Sequence, residues 1–205
     1  RSSVRLAYLS IPPTVFSDVL RGLSAGKIHH HDRTGDFRCI VEKPVGQDLT
    51  SFERIEKALL ACFKEEKIFI LDHYLGKEAV RNIYYLRFAN PILERLLKNT
   101  LIHHVEITAL EDSGIEKRAG YFDNVGTFRD MFQSHLLEIA SLLTMRLREG
   151  EDAFQESRQN ALEQFYIPPA THLSDLILQG QYSGYCAEEG VAKHSRTNTF
   201  IALKL

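Results

Sequence analysis

The sequence lacks the features that mark membrane, secreted and nucleic-acid-binding proteins. No apolar run approaches the roughly 20 residues of a membrane-spanning helix, and the first residues lack the apolar core and cleavage site of a signal peptide. The formal net charge of −2 is too small for the strong basic field that binding to a nucleic-acid backbone requires. The three cysteines, Cys39, Cys62 and Cys186, form no Cys-x-x-Cys pair, which favours reduced structural thiols. These absences predict a cytoplasmic protein that engages neither a membrane nor a nucleic acid.

The histidine-rich stretches do not predict a metal site. Adjacent side chains of a strand point to opposite faces, so of His29, His30 and His31 only the first and last could share one ion. No third ligand follows at a suitable spacing, and residues 32–35 (DRTG) favour a solvated turn instead. The histidine pair at 103–104 meets the same restriction. We therefore expect no bound metal.

The first 75 residues alternate between strand-like and helix-like patterns. The predicted strands cover residues 5–10, 37–41 and 67–71, and the predicted helices begin near 14 and 50. Thr14 can cap the first helix, and the capping-box sequence at 50–53 (TSFE) can open the second. Pro44 and Gly46 favour a tight loop that would hold Lys43 at the end of its strand. This alternation predicts an α/β unit.

Beyond residue 75 the patterns indicate helices and strands that no longer alternate one by one. In chain order they predict a strand at 101–110, a loop at 112–124, helices at 128–143 and 152–165, and a strand at 197–205. Gly114 and Gly120 favour the loop, and His135 lies on the apolar stripe of the first helix. The whole chain is therefore predicted to be α/β followed by α+β.

Residues 72–78 (DHYLGKE) are the most informative stretch of the chain. The segment 67–71 before them reads as a buried strand with charged residues on both sides. After them, Ala79, Ile83 and Leu86 recur at helical spacing. The polar cluster is thus predicted to lie where a strand ends and a helix begins.

This junction suits an anion, because free backbone N–H groups and the helix dipole both attract negative charge. A cationic Lys77, the hydroxyl of Tyr74 and a His73 that can carry charge would complete a phosphate site. The alternative interpretation is a solvated strand-to-helix turn that Asp72 caps. The motif alone leaves both interpretations open.

Four other residues are ambiguous when each is taken alone. His135 on an apolar stripe suits either a buried core histidine or a catalytic base. Asp130 suits either a residue that complements the helix dipole or one that faces a cleft. Glu111 and Lys43 each follow a predicted strand, where a side chain either reaches a ligand or faces water.

In combination these residues stand within motifs that span nearly the whole chain. The motifs are LSIPPTVF at 9–16, EKPVGQDL at 42–49, DHYLGKE at 72–78, LRFAN at 86–90, AGYFD at 119–123, RDMFQSHLL at 129–137 and TFIA at 199–202. In content and order they resemble the glucose-6-phosphate dehydrogenase family.

The resemblance implies a substrate-binding role for five residues. His73, Tyr74 and Lys77 match the family's contacts to the sugar phosphate. Glu111 and Asp130 match carboxylates that hold sugar hydroxyls. The implied substrate is glucose 6-phosphate.

The resemblance also implies a catalytic pair and a cofactor contact. His135 matches the general base that removes the proton from the C1 hydroxyl, and Asp72 matches its carboxylate partner. Lys43 matches the lysine between substrate and nicotinamide, and Pro44 matches the proline that follows it. The implied reaction passes hydride to NADP and yields 6-phosphogluconolactone, the first step of the pentose phosphate pathway, in a homo-oligomer (dimer or tetramer).

Two parts of the family pattern are missing from this sequence: the N-terminal glycine-rich dinucleotide fingerprint and much of the large antiparallel sheet. The resemblance therefore implies a partial Rossmann-like, dinucleotide-binding domain at 1–75 and a partial substrate-binding and oligomerisation domain at 76–205. Two functions stay open. One is a portion of an NADP-dependent dehydrogenase that is inactive alone, and the other is a non-catalytic module that binds sugar phosphate or assists assembly.

Overall fold

A computed structural model describes residues 4–12, 15–26, 37–46, 48–150, 152–169 and 172–205. The predicted cap Thr14, the triple His29 to His31 and the predicted turn at 32–35 lie outside these ranges. The chain divides into two compact units, Arg1–His73 and Tyr74–Leu205, and the division falls inside the DHYLGKE motif.

The first unit is a parallel sheet with helices, as the alternating patterns predicted. Its elements are β1 (Arg5–Leu9), α1 (Phe16–Ala25), β2 (Phe37–Glu42), α2 (Leu49–Leu60), a 3₁₀ turn (Glu65–Lys67) and β3 (Ile68–Leu71). The strands lie in the order β1-β2-β3, with Ala7 opposite Cys39 and Val41 opposite Ile70. Parallel neighbours need crossover connections, which the helical segments between them supply.

The core of this unit lies on the central strand. Cys39 and Val41 of β2 are fully buried. The buried residues that pack with them come from both helices and include Phe16 and Leu20 of α1 and Ile55 and Leu59 of α2.

The prediction that β3 is a buried strand was wrong. Phe69, Ile70 and Leu71 are each more than 40% exposed. β3 is an edge strand of the described sheet and pairs with β2 alone, so neighbouring elements cover little of it.

Helix α2 begins earlier than predicted. The Asp48 carboxylate accepts the Ser51 N–H at 2.8 Å, and the Ser51 hydroxyl accepts the Asp48 N–H at 3.0 Å. Thr50 is already inside the first turn, so the predicted box at 50–53 was wrong by two residues. For α1 the N-cap position is Val15, which supplies no side-chain cap.

The second unit is mainly helical and carries a small antiparallel sheet. Its elements are α3 (His73–Gly76, across the division), α4 (Glu78–Ala89), α5 (Pro91–Leu96), α6 (Ala119–Thr127), a π-helical segment (Phe128–Leu136), α7 (Leu137–Thr144), α8 (Ala153–Glu163), β4 (Ile177–Gly180) and β5 (Phe200–Leu203). β4 and β5 pair antiparallel, with Leu178 opposite Ala202. This arrangement agrees with the predicted α+β part. None of the helices in the described ranges is long and apolar enough to cross a membrane.

Two predictions in this unit were wrong. Residues 102–111 form no strand, and Val105 is 52% exposed, because no strand in the described part of the chain lies beside them to pair their backbone groups. Residues 119–124 are helical instead of a loop: Ala119 and Phe122 are buried, and this packing outweighs the unfavourable Gly120.

The inward face of α4 also differs from the predicted stripe. Ile83 packs inward as predicted, but Leu86 is 55% exposed, and Val80 and Arg87 are buried in place of Ala79 and Leu86. The core that α4 joins includes Leu142 and Met145 at the end of α7 and Ala161 of α8. Tertiary packing against these residues determines which side of α4 is buried.

Asp123 of α6 holds the segment before β5 in place. Its carboxylate accepts the Tyr185 hydroxyl at 3.0 Å, the Ala192 N–H at 3.3 Å and the Ser195 hydroxyl. The hydrogen bond from Ser195, assisted by the other two, lowers the pKa of Asp123. Tyr185 is fully buried, and burial together with the neighbouring carboxylate raises the pKa of its phenol.

Candidate functional site

In the first unit, the predicted site residues lie at the carboxyl ends of two adjacent strands. Lys43 directly follows β2 and Asp72 directly follows β3. Their charged groups form an ion pair with Nζ and Oδ2 separated by 3.0 Å. The Asp72 side chain is 4% exposed and the Lys43 side chain 24%, so this is a largely desolvated pair.

The loop after β2 shapes this end of the sheet. The Lys43 N–H donates to the Leu71 carbonyl at 3.3 Å, and the Lys43–Pro44 peptide is cis. Gly46 has φ of +94°, and a Cβ there would lie 2.7 Å from the backbone nitrogen of Phe52. Only glycine fits this close approach, which turns the chain into α2. The carboxyl edge of a parallel sheet is where open α/β folds bind ligands.

In the second unit, three predicted residues come together around one aromatic ring. The imidazole of His135 stacks on Tyr74, with ring centroids 3.9 Å apart and planes 14° from parallel. The ammonium nitrogen of Lys77 lies 3.6 Å from the centroid of the same ring. The Tyr74 hydroxyl donates to the sulfur of Met131 at 3.9 Å. An imidazole, a phenol and an ammonium group are thus held within one cluster.

The π-helical segment places His135 in this cluster. Its wider turn is visible in the backbone hydrogen bond from the Leu137 N–H to the Phe132 carbonyl, which spans five residues. The Ser134 hydroxyl also donates to the Arg129 carbonyl at 2.8 Å. His135 is 6% exposed. Segments of π-helix are rare and occur frequently at functional sites. The sequence predicted a helix here but carried no signal for the π form.

Asp130 of the same segment lies in a second polar group. Its Oδ2 accepts from the Arg118 guanidinium at 2.8 Å, and its Oδ1 accepts from the Tyr121 hydroxyl at 3.2 Å. Burial, reinforced by the Asp130 charge, raises the pKa of Tyr121 to about 12. Arg118 and Tyr121 were not among the predicted site residues. Tyr121 falls inside the AGYFD motif, which was the only sequence signal for it.

Two further predicted residues are exposed. Glu111 is exposed in the irregular segment, and within the described ranges it makes no hydrogen bond or ion pair. Its predicted position at the end of a strand was wrong, because that strand does not form. His73 is exposed at the first residue of α3. Over the described residues, no three His, Cys, Asp or Glu side chains cluster in a way that could hold a metal ion.

An open cavity lies elsewhere in the second unit. Its volume is about 450 Å³, and Arg129, Gln179 and Arg196 are among the residues that line it. None of the predicted site residues lines this cavity. Its walls offer no acid–base pair, so we take the Tyr74 cluster as the candidate group of the second unit and the Lys43–Asp72 pair as that of the first.

Comparison with known protein families shows which family the chain belongs to. The model of the family's C-terminal domain, "Glucose-6-phosphate dehydrogenase, C-terminal domain", matches residues 84–205, and the model of its "NAD binding domain" matches residues 1–82. The chain belongs to the glucose-6-phosphate dehydrogenase family. The resemblance seen in the motifs is thereby confirmed.

Relatives and solved structures of the family match along almost the whole chain. A glucose-6-phosphate 1-dehydrogenase of Rhizobium meliloti is 36% identical over 216 aligned residues, which cover 100% of this chain and 43% of the relative. The crystal structure of the enzyme from Mycobacterium avium is 36% identical, with a TM-score of 0.83, over 97% of this chain and 42% of that one.

A solved structure described as glucose-6-phosphate dehydrogenase in complex with its substrate glucose-6-phosphate is 35% identical. Its TM-score is 0.85, and the match covers 97% of this chain and 42% of that one. The chain therefore spans less than half the length of the glucose-6-phosphate dehydrogenases it matches, and it has their fold over that span: a Rossmann-like parallel sheet followed by helices and an antiparallel sheet.

Proposed function

We propose that the natural protein containing this chain oxidises glucose 6-phosphate to 6-phosphogluconolactone with NADP as hydride acceptor. Family membership supports the reaction class. The observation that carries the proposal is the Tyr74 cluster, in which a buried imidazole lies beside a ring that also holds a lysine ammonium. This combination suits proton removal from an anionic substrate.

The proposed roles follow the chemistry of each group. His135 takes the proton from the C1 hydroxyl, because a ring nitrogen of neutral imidazole can accept a proton. Asp72 supports the imidazolium; a carboxylate accepts more than one hydrogen bond, so its pair with Lys43 is compatible with this role. His73, Tyr74 and Lys77 bind the phosphate group.

The remaining proposed roles concern sugar hydroxyls and cofactor. Glu111 and Asp130 hold the hydroxyls, and the Arg118 and Tyr121 hydrogen bonds keep Asp130 oriented. Lys43 and Pro44 lie at the carboxyl edge of the parallel sheet, where they fit the nicotinamide end of a dinucleotide. When bound, the cofactor supplies the hydride acceptor. No glycine-rich loop in these 205 residues fits its pyrophosphate.

The wider setting is part of the same proposal. Residues 1–75 serve as a partial dinucleotide-binding domain and residues 76–205 as a partial substrate-binding and oligomerisation domain of a homo-oligomer. The described thiols Cys39, Cys62 and Cys186 are all free, which suits a reducing compartment such as the cytoplasm. The reaction would be the first step of the pentose phosphate pathway. The protein would need no nucleic-acid or membrane partner. Alone, the 205-residue chain is expected to bind sugar phosphate at most.

The test is His135→Asn in the complete natural protein. Loss of the base should lower kcat by about 10²- to 10⁴-fold with little change in KM for glucose 6-phosphate. The matched control is His194→Asn, because His194 is an exposed histidine of the same unit. Equal kcat values for the two variants would refute the assignment of the base. Comparing kcat/KM for NADP and NAD at saturating glucose 6-phosphate tests the cofactor.

A further inference from the structure

The ring of Tyr74 has a different group on each face. The imidazole of His135 covers one face at 3.9 Å and nearly parallel. The Lys77 ammonium lies 3.6 Å from the same centroid. Two groups this close to one centroid would collide on the same face, so they occupy opposite faces. Imidazole, phenol and ammonium therefore form three consecutive layers.

Hydrogen bonds of the Tyr74 backbone and side chain hold its ring between the other two groups. Tyr74 lies in α3, and the Lys77 N–H donates to the Tyr74 carbonyl at 3.0 Å, which closes the turn between them. The Tyr74 hydroxyl donates to Met131, four residues before His135 in the π-helical segment. The ring is thus tied to that segment by its face and by its edge.

The stacked ring restricts how His135 can turn. A flat neighbour at van der Waals distance allows the imidazole to rotate only within the plane parallel to it. On the other face, the negative π cloud attracts the Lys77 ammonium and holds the ring against lateral movement. The hydroxyl takes no part in this restriction. Face and hydroxyl of Tyr74 are therefore separable in function.

We propose that the ring face of Tyr74 is the positioning element that sets the orientation of the His135 imidazole, independently of any contact its hydroxyl makes with substrate. The part of this inference that concerns turnover rests on the proposed function of His135 as the base. Tyr74 acts through His135 and is in this respect a positioning residue. Misplacement of a reacting group by about 1 Å costs on the order of 100-fold in rate, so orientation should appear in kcat.

The experiment compares Tyr74→Leu with Tyr74→Phe in the complete natural protein. Leucine removes the flat face, whereas phenylalanine keeps the face and removes only the hydroxyl. We expect Tyr74→Leu to lower kcat by about 10- to 100-fold, and Tyr74→Phe to recover most of that loss while KM for glucose 6-phosphate rises. Tyr166→Leu is the matched control, since Tyr166 is 70% exposed. Where the leucine variant does not fold, Tyr74→Met replaces it.

A second readout does not depend on activity. Ring proton signals of His135, assigned by their loss in His135→Asn, should be shifted by the ring current in the wild type and in Tyr74→Phe. They should broaden or split in Tyr74→Leu, because the imidazole is no longer held in one orientation.

The results distinguish failure of the positioning role of Tyr74 from failure of the proposed dehydrogenase function. Unshifted His135 signals in the wild type, or one sharp set in Tyr74→Leu, would overturn the positioning role whatever the activity. Equal kcat for the leucine and phenylalanine variants would overturn it while the dehydrogenase function stands. A wild type without dehydrogenase activity would overturn the proposed function alone, and the spectra would still decide the role of the ring.

Discussion

Replacing the buried Arg87 should destabilise the second unit more than any surface change. Its guanidinium is 4% exposed and donates to the Leu142 carbonyl at 2.5 Å and to the Met145 carbonyl at 2.8 Å. Both carbonyls lie at the C-terminal end of α7, where no intrahelical donor is available. Two further bonds, at 2.8 and 2.9 Å, join it to Glu94.

The magnitude follows from these four hydrogen bonds. A bond between a charged donor and a carbonyl contributes about 1.5–3 kcal/mol, so losing the two at the end of α7 costs about 3–6 kcal/mol. The Glu94 pair adds little, because its carboxylate is 30% exposed and water can replace the guanidinium. We therefore expect Arg87→Met to lower the free energy of unfolding by about 3–6 kcal/mol, and Glu94→Gln by less than about 1 kcal/mol.

Urea unfolding followed by tyrosine circular dichroism measures this loss selectively. Of the eight tyrosines, Tyr8 lies in the first unit and the other seven in the second. Arg95→Met is the matched control, because Arg95 is an exposed arginine on neighbouring α5. A free energy of unfolding for Arg87→Met within about 0.5 kcal/mol of the control would refute the argument, since surface substitutions stay within that range.

Two further predictions concern the remaining buried polar and thiol groups. Asp123→Asn weakens the contacts with Tyr185 and Ser195 and should cost about 1–2 kcal/mol at pH 7. Because folding lowers the pKa of Asp123, this stabilisation is present above the unfolded value of about 3.9 and is lost as pH falls through the folded value. Thermal melts of both proteins from pH 7 to 2 should therefore converge in acid, and a constant gap would contradict the assignment. Burial raises the pKa of the Cys39 thiol to about 11, so iodoacetamide at pH 7.5 should label half-buried Cys186 first and Cys39 only after unfolding. Peptide mass spectrometry measures the two labelling rates. Equal rates for Cys39 and Cys186 in the folded protein would contradict this prediction.

The sequence by itself determined the elements whose signals are local. The strands and helices of the first unit follow from apolar spacing over a few residues, and the helical region around His135 follows from its stripe. Residues 72–78 identified the family because a dense cluster of unusual side chains in a fixed order is specific without any structure. The fold class came from the same patterns.

Tertiary structure alone decided the features that join distant parts of each unit. Lys43 and Asp72 are 29 positions apart, and Tyr74 and His135 are 61 apart, so no local pattern records their contacts. The segment 101–110 alternates like a strand, but a strand forms only where a neighbour accepts its hydrogen bonds, and alternation says nothing about a neighbour. The π form that aims His135 depends likewise on packing around it. Local spacing sets which structure a segment prefers, whereas the partners that long-range packing supplies decide whether it forms and what its side chains touch.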